Sequence, residues 1–341
     1  MRSDKPLVLI LCGGRSLRLW PLSRKVSKNF LDIFGFSPLE FTIKRFLKIT
    51  TRDNIFLVAN QAERRELAKL KLIKKDNIFF EPASKNTAAA ILLSLHRLKK
   101  YPSKNLIITP VDTFIKNKKE FYRSLKRSLA AAGDGWICTL GIKPSLPTPN
   151  FGYIQVRKPA KNGIFSVKKF IEKPTVIKAK KLIASGDCFY NSGMFVASVS
   201  TLTDEYRKYY SDYKYFSSQF RAKRISSLYK RINNIPFDKA IMEKTKKAKM
   251  VKGDFSWKDF GSWLAIYEVL AKDKKGNVTR GSSFIYEGKD NLIYLDNLKK
   301  KVLVLGLEDV FFVDTEDFTL LTTRNHLDKL KPALRKFRRC Q

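Results

Sequence analysis

One stretch near the N-terminus, residues 7–30, constrains the fold more than any other part of the sequence. It begins with an apolar run, residues 7–11, whose length and composition are typical of a buried parallel strand. The glycine pair Gly13-Gly14 follows directly, and three basic residues come after it: Arg18, Arg24 and Lys28. Glycines after a strand let backbone N–H groups approach an anion closely, and basic side chains supply the counter-charge. The stretch therefore predicts a phosphate-binding loop at the end of a first strand.

The glycine pattern excludes two common phosphate-binding motifs. The dinucleotide-binding fingerprint needs a second glycine two residues after the first, with one residue between, and the pair here is followed by Arg15. A P-loop needs a closing Gly-Lys-Ser/Thr, which this stretch lacks. The loop must therefore bind phosphate in a third way.

Strand-like and helix-like segments alternate through the first part of the chain. The apolar runs predict strands over residues 54–59, 77–80 and 105–109, and helical spacing predicts helices over 38–49 and 61–73. Alternation with short connections predicts an α/β fold with a parallel sheet covered on both faces. Ligands in such sheets bind beyond the carboxyl ends of the strands, so site residues are expected directly after each strand.

The charge of the chain is strongly positive, with 68 Lys and Arg against 31 Asp and Glu. A nucleic-acid partner is one explanation, but the basic residues are spread through every segment, which favours an overall compositional bias. No apolar run reaches the roughly 18 residues that span a bilayer, so no membrane association is expected. The four cysteines are far apart and lack metal-ligand spacing, which favours reduced thiols and a cytoplasmic location.

The pattern changes near the C-terminus. Residues 272–277 form a polar break that contains glycine, and short strand-like segments of even spacing follow it. We therefore expect a larger domain over residues 1–271 and a small β-rich domain over residues 277–341 that ends in a helix.

The opening stretch resembles the signature of one enzyme family. In mannose-1-phosphate guanylyltransferases, which are sugar-nucleotide pyrophosphorylases, the pattern runs GGxGxRLWPLSR followed by PKQF; here it reads GGRSLRLWPLSR and SKNF. The match is unbroken over residues 18–24, while Ser16, Ser27 and Asn29 depart from the pattern. The resemblance implies a Rossmann-like nucleotidyltransferase domain (GT-A-like) with a mostly parallel sheet, followed by a small C-terminal β-helix-like domain.

The resemblance also implies an activity. Members of the family transfer GMP from GTP to α-D-mannose 1-phosphate and release pyrophosphate, with Mg²⁺ as the cofactor. The implied partners are therefore GTP and mannose 1-phosphate. Arg18 would hold the departing pyrophosphate, and Lys28 would hold the α-phosphate.

A second segment, residues 81–88, resembles the family's EPxxRNTAPAI and reads EPASKNTA here. In the family this segment lies against the base and ribose. Together with the first loop, the resemblance gives a nucleotide-binding set of Gly13, Gly14, Arg18, Glu81, Asn86 and Thr87. Asn86 or Thr87 could equally cap the helix that follows, and one residue can do both.

Two aspartates are the expected metal ligands. Asp112 follows the strand at 105–109, where the family has Pro-Ser/Ala-Asp-His and this chain has Thr113 for the histidine. Asp259 lies in a stretch that resembles the family's WxDxGxW. Carboxylate oxygens are the hard ligands that Mg²⁺ uses, and phosphates and water complete its shell.

Three further segments resemble the family's sugar-binding motifs. Residues 150–154 resemble TGYGYI, with Asn150 for the first glycine; residues 170–174 match FxEKP; residues 191–195 read NSGMF. The implied sugar-phosphate set is Gly152, Glu172, Lys173 and Asn191. With Lys173 on the sugar phosphate, the implied catalytic set is Arg18, Lys28, Asp112 and Lys173.

The sequence leaves two alternatives open. One is a pyrophosphorylase for another sugar 1-phosphate or nucleotide, and the other is a non-catalytic nucleotide-sugar binding protein on the same fold. The oligomeric state is also open, a homodimer included.

Overall fold

The computed structural model describes residues 5–13, 17–24, 27–33, 35, 37–221 and 224–337. The strands are β1 Leu7–Cys12, β2 Ile55–Asn60, β3 Ile78–Glu81, β4 Asn105–Pro110, β5 Thr113–Ile115, β6 Ile137–Ile142, β7 Tyr153–Lys161, β8 Ile164–Ile171, β9 Cys188–Ser198, β10 Ala248–Gly253, β11 Trp257–Asp259, β12 Val278–Arg280, β13 Ser282–Tyr286, β14 Leu292–Leu295, β15 Lys301–Leu305, β16 Val310–Asp314 and β17 Thr319–Thr323. The α-helices are α1 Pro38–Phe46, α2 Arg64–Ala68, α3 Asn86–Leu98, α4 Lys118–Gly133, α5 Val176–Ala184, α6 Val199–Tyr209, α7 Tyr213–Arg221, α8 Ile225–Arg231, α9 Trp263–Val269 and α10 Leu330–Phe337. A π-helical turn spans Asp238–Met242.

The chain divides into two compact units. The first, which we call the sheet unit, consists of Met1–Gly13, Ile43–Val111 and Ile115–Trp257. The second, the carboxylate unit, consists of Gly14–Thr42, Asp112–Phe114 and Lys258–Gln341. The division predicted from the sequence, at residues 271 and 277, stays a prediction.

The sheet unit is built on a nine-stranded sheet with the order β3-β2-β1-β4-β9-β6-β10-β8-β7. Strand β1 pairs in parallel with β2 and β4, β2 with β3, and β10 with β6. Antiparallel pairing involves β9 and β8 with their neighbours. The predicted α/β structure with mostly parallel sheets is confirmed, and the parallel pairs of this sheet lie among β1 to β4 and between β6 and β10.

Strand β1 lies between β2 and β4 in the sheet, and both of its faces are covered. Residues 7–10 are at most 1% exposed, as the uninterrupted apolar run predicts for a strand buried on both sides. Helix α3 belongs to the same core, and its residues 88–95 are buried almost throughout. The strand thus places Gly13, which directly follows it, at the carboxyl edge of the parallel strands.

The helix predicted over residues 61–73 is shorter in the structure. A 3₁₀ turn at Gln61–Glu63 leads into α2, which ends at Ala68. In this segment Leu67 and Ile73 are buried while most of the residues between them are in contact with solvent. A helix gains most of its stability from packing an apolar face, so a segment with few buried residues does not extend to four turns.

The carboxylate unit has a core of aromatic side chains and short parallel strands. Strands β12, β14, β16 and β17 form one sheet, and β13 pairs in parallel with β15. The Trp263 indole N–H donates to the Trp20 carbonyl oxygen at 2.9 Å, and both rings are buried with Phe311. This hydrogen bond ties the N-terminal loop segment to α9, because a buried indole N–H needs an acceptor.

No helix in the described part of the chain is both long and apolar enough to cross a membrane.

Candidate active site

Two carboxylates, Asp112 and Asp259, lie side by side in the carboxylate unit. Asp112 follows β4 by two residues, and Asp259 is the last residue of β11. The Phe260 backbone N–H donates to the Asp112 carbonyl oxygen at 2.8 Å, which fixes the two chain segments against each other. Each carboxyl group lies close enough to shift the pKa of the other. The structure therefore brings together the two residues that the sequence predicts as metal ligands.

Two predicted basic residues complete this cluster. The Lys28 ammonium group donates a hydrogen bond to Asp112 Oδ2, and these side chains are 15% and 13% exposed. Arg18 Nη2 lies 3.5 Å from Asp259 Oδ2. Residues from three separate parts of the sequence thus form one compact set of two carboxylates and two cations. We call this set the carboxylate cluster: Arg18, Lys28, Asp112 and Asp259.

The protonation of the carboxylate cluster is uneven. Burial and the neighbouring Asp112 charge raise the pKa of Asp259 to about 7, although Lys28 and Arg18 act in the opposite direction. Burial also acts to raise the pKa of Asp112, but the Lys28 ammonium outweighs it and lowers that pKa overall. The pKa of Lys28 is raised, because the two carboxylates outweigh its burial. One carboxyl group therefore stays ionised near neutral pH while the other is half protonated.

The donor set of the carboxylate cluster fits a divalent cation. Asp259 Oδ1 is buried and has no hydrogen-bond partner among the described atoms. A Cβ atom on Gly261 would lie 2.8 Å from Arg18 Nη2 and 2.9 Å from Asp259 Oδ1, so only glycine leaves this space open. The sequence shows Gly261 within the tryptophan-framed stretch, but its steric role is visible only in the structure. Within the described residues, no group of three or more His, Cys, Asp or Glu side chains could hold a metal ion, so a cation here would rely on two carboxylates and non-protein oxygens.

A second set of predicted residues meets in the sheet unit. Gly152 directly precedes β7, Glu172 directly follows β8 and Asn191 lies within β9, and these strands are neighbours because β7 pairs with β8 and β9. A Cβ atom on Gly152 would lie 2.7 Å from Glu172 Oε2 and 3.7 Å from Asn191 Nδ2. The acceptor of Glu172 and the donor of Asn191 therefore face the same small space beside a glycine, and we call this group the amide–carboxylate site.

Lys173 adjoins the amide–carboxylate site but is held differently. Its backbone has a φ of 46°, in the left-handed region that non-glycine residues rarely adopt. Its ammonium group lies 3.2 Å from Glu172 Oε1, and its side chain is 62% exposed. An exposed cation beside a largely buried carboxylate is available to a phosphate group.

Three residues near the amide–carboxylate site were not predicted. Asp238 and Glu243 lie at the start and just after the end of the π-helical turn, and Thr139 lies in β6. The carboxyl of Asp238 accepts a hydrogen bond from Asn191 Nδ2 at 2.8 Å. Two acids five residues apart, Asp238 and Glu243, in an otherwise basic region are the signal that the sequence offers.

The predicted base and ribose segment lies at the end of β3 and the start of α3. Glu81 is 8% exposed, and its carboxyl lies near the Tyr229 hydroxyl, which acts to lower its pKa. Asn86 has a φ of 65° and is exposed, and its Oδ1 accepts from the Thr87 backbone N–H at 3.0 Å. The Thr87 hydroxyl accepts from the Phe237 backbone N–H at 2.8 Å, so it positions the chain directly before Asp238.

Gly13 directly follows β1, at the same sheet edge as Glu81. The parallel register places Cys12 opposite Ala59, and Asn60 opposite Glu81, so the carboxyl ends of β1, β2 and β3 are aligned. The other predicted glycine of the loop, Gly14, lies outside the described residues.

The chain matches a known family over most of its length. The family model described as Nucleotidyl transferase matches residues 7–276. Mannose-1-phosphate guanylyltransferase 2 of Escherichia coli O157:H7 is 32% identical over 359 residues, which cover 96% of this chain and 73% of that protein. The alginate biosynthesis protein AlgA of Pseudomonas aeruginosa is 31% identical over 350 residues, which cover 96% of this chain and 71% of that protein.

A solved structure is similar over nearly the whole chain. The crystal structure of a mannose-1-phosphate geranyltransferase from Thermus thermophilus superposes with a TM-score of 0.88 at 25% identity. The similarity covers 98% of this chain and 99% of the other.

The space beside Gly152 gives a first prediction. In Gly152→Ala the new methyl group would displace the Glu172 carboxylate, whose Oε2 lies 2.7 Å from the Cβ position. We expect the dissociation constant for a sugar 1-phosphate to rise about tenfold, the scale of one lost charged hydrogen bond. Calorimetry measures this constant. The control is Gly133→Ala at the end of α4, where a Cβ has no described atom within 4 Å, and it should bind as the parent does. Equal binding by both variants would contradict the prediction.

The burial of Glu81 gives a second prediction. Burial raises the pKa of Glu81 from 4.5 to about 8, although the Tyr229 hydroxyl acts to lower it. Between these values the folded chain holds a proton that the unfolded chain has lost, so the free energy of unfolding falls as pH rises from 4.5 to 8. The fall attributable to Glu81 is at most about 1.4 kcal/mol for each pH unit.

Urea unfolding of Glu81→Gln across this pH range tests the effect. The variant should lose this part of the pH dependence, because glutamine does not titrate. Asp76→Asn, at an exposed position, should keep the pH dependence of the parent. A Glu81→Gln curve parallel to that of the parent would show that Glu81 is not the group responsible.

Proposed function

The chain belongs to the nucleotidyl transferase family, and on that basis we propose that it transfers GMP from GTP to α-D-mannose 1-phosphate, giving GDP-mannose and pyrophosphate. The observation that carries the proposal is the carboxylate cluster, in which Asp112 and Asp259 lie side by side with Arg18 and Lys28. Two carboxylates and two cationic side chains in one place are suited to phosphoryl transfer. In this reaction the site must neutralise the negative charge of the phosphates, and it does not need to move a proton.

The obstacle in this reaction is electrostatic. The sugar phosphate is an anion that must attack the α-phosphorus of a polyanion, and two unit charges 4 Å apart repel by about 4 kcal/mol at an effective dielectric of 20. No general base is required, because the attacking phosphate oxygen is already ionised. The protein therefore contributes mainly positive charge and orientation.

Nucleotidyltransferases of this kind use a divalent metal, and we propose Mg²⁺ held by Asp112 and Asp259. The ion, when bound, neutralises phosphate oxygens on the nucleotide. Asp259 Oδ1, which is buried and has no hydrogen-bond partner among the described atoms, supports this assignment.

Lys28 and Arg18 then act on phosphates directly. We assign Lys28 to the α-phosphate and Arg18 to the pyrophosphate that leaves. In the structure the Lys28 ammonium neutralises Asp112, so a cation on Asp112 would free Lys28 for a phosphate oxygen. Arg18 suits the leaving group because its planar guanidinium binds two phosphate oxygens at once.

We assign the sugar 1-phosphate to the amide–carboxylate site, with Glu172 and Asn191 on hydroxyl groups and Lys173 on the phosphate. The common space of Glu172 and Asn191 beside Gly152 supports this assignment. The exposed ammonium of Lys173 is suited to a mobile phosphate.

We assign the nucleotide to the first loop and to the end of β3. Gly13 and Gly14 would offer backbone amides to phosphate, and Glu81, Asn86 and Thr87 would lie against the base and ribose. The aligned ends of β1 and β3 support this assignment, as does Glu81 Oε1, which has no partner among the described atoms.

Three further predictions extend the proposal. Parallel pairing of β12 with β14 and of β14 with β16 supports a β-helix-like arrangement after residue 277. Phe284 on β13 is paired with Leu303 on β15, and both apolar side chains are exposed. An exposed apolar pair of this kind supports a homodimer. Buried thiols at Cys138 and Cys188, which form no disulfide, support a reducing, cytoplasmic location.

Pyrophosphate release tests the proposed reaction. We predict the highest release with GTP and mannose 1-phosphate in the presence of Mg²⁺, about tenfold or more above ATP, UTP or glucose 1-phosphate. Higher release with another pair would reassign the substrate. No release with any pair, together with tight GDP-mannose binding, would replace the enzyme by a nucleotide-sugar binding protein.

A further inference from the structure

The π-helical turn at Asp238–Met242 places two acids on one side of the chain. The Glu243 backbone N–H donates to the Asp238 carbonyl oxygen at 2.8 Å, the five-residue bond that defines such a turn. Residues five apart lie close to one face in this geometry, whereas at the 3.6 residues per turn of an α-helix they would be offset by about 140°. Single π-helical turns are rare and are frequently found at functional sites.

The first of these acids fixes the orientation of an amide. Asn191 Nδ2 donates to Asp238 Oδ1 at 2.8 Å. On the other side of the amide, Asn191 Oδ1 accepts from the Thr139 hydroxyl at 3.0 Å and from the Gly193 backbone N–H at 3.1 Å. With two donors on the oxygen and an acceptor on the nitrogen, this network admits one orientation of the amide.

The amide then has one hydrogen-bonding group left. Both acceptor positions of Oδ1 are occupied, and one of the two Nδ2 hydrogens is directed to Asp238. The remaining N–H is a donor only. Asn191 can therefore recognise an oxygen that accepts a hydrogen bond and cannot itself accept one from a ligand.

The second acid of the turn supports the neighbouring residue. The Glu172 backbone N–H donates to Glu243 Oε1 at 3.1 Å. The Glu172 carboxylate is an acceptor, and it faces the same space as the Asn191 amide. The turn thus contacts both members of a donor–acceptor pair, which matches two adjacent sugar hydroxyls, one accepting and one donating.

We propose, on the basis of the proposed function, that Asp238 is a positioning residue for the sugar 1-phosphate: it holds the Asn191 amide with its free N–H towards a hydroxyl oxygen of the pyranose. Asp238 acts through Asn191 and need not touch the sugar. Burial and the neighbouring charge of Glu172 raise the pKa of Asp238 to about 7, so the ionised carboxylate has an electrostatic cost at this position. An apolar residue would avoid this cost but would leave the amide free to turn.

The test compares four variants by calorimetry with mannose 1-phosphate and with GTP. In Asp238→Leu the acceptor is lost, and we expect the dissociation constant for mannose 1-phosphate to rise about tenfold, while that for GTP stays within about twofold. Asp238→Asn keeps an acceptor oxygen and should rescue binding to within about threefold of the parent. Thr139→Val removes a donor from the opposite side of the amide and should weaken mannose 1-phosphate binding alone.

Glu205→Gln is the matched control for the loss of a buried acid. Glu205 is 4% exposed and contacts Thr245 and Lys247. This variant should bind both ligands as the parent does. Thermal unfolding of every variant shows which ones remain folded, and Thr139→Val provides the decision if Asp238→Leu does not fold.

The outcomes separate the two proposals. If the parent releases pyrophosphate from GTP and mannose 1-phosphate but folded Asp238→Leu and Thr139→Val bind the sugar phosphate normally, the positioning role is wrong and the enzyme assignment stands. Binding by Asp238→Asn as weak as by Asp238→Leu, or equal weakening for GTP, would also overturn the positioning role. A parent that neither binds mannose 1-phosphate nor releases pyrophosphate overturns the proposed function and this inference with it.

Discussion

The close approach of the carboxyl groups of Asp112 and Asp259 is the constraint on which the carboxylate cluster depends. Two ionised carboxylates side by side would repel strongly, and the structure relieves this repulsion in two ways. Lys28 neutralises Asp112, and the raised pKa of Asp259, about 7, leaves that carboxyl partly protonated near neutral pH. The glycine at position 261 leaves room for this arrangement. A site held together by a proton and an ammonium group is prepared to exchange both for a divalent cation.

In the amide–carboxylate site, too, carboxyl groups lie close together, but here three acids are near a cation. There Glu172, Asp238 and Glu243 concentrate negative charge, and Lys173 is the nearby cation. Each acid has a distinct contact: Glu172 faces the open space, Asp238 holds an amide, and Glu243 holds a backbone N–H. The strand ends place the acceptor and the donor, and the π-helical turn determines which way they point.

The sequence predicted the parts of the fold that depend on local composition. The apolar run before Gly13 and the strand before Asp112 are both found, because buried parallel strands need such runs. The pairing of Asp112 with Asp259 could be anticipated only through resemblance, since the two residues are far apart in the sequence. The helix over residues 61–73 was predicted too long because charge and spacing do not reveal how little of it is buried.

The roles of Asp238 and Gly261 could not be predicted, for different physical reasons. A π-helical turn has no distinct periodicity in sequence, so the alignment of Asp238 with Glu243 is visible only in the backbone. The glycine requirement at position 261 comes from Arg18 and Asp259, which approach it from separate parts of the chain. Both roles arise from tertiary contacts that local patterns do not encode.

The central claim is that Asp112 and Asp259 hold a divalent ion together with the nucleotide phosphates. The most direct measurement is the dissociation constant of GTP with and without Mg²⁺, compared between the parent, Asp259→Asn and the control Asp254→Asn, whose carboxyl pairs with Lys252 at the surface. We predict that Mg²⁺ tightens GTP binding about tenfold or more in the parent and the control, and that Asp259→Asn loses this gain. The same gain in Asp259→Asn would contradict the account.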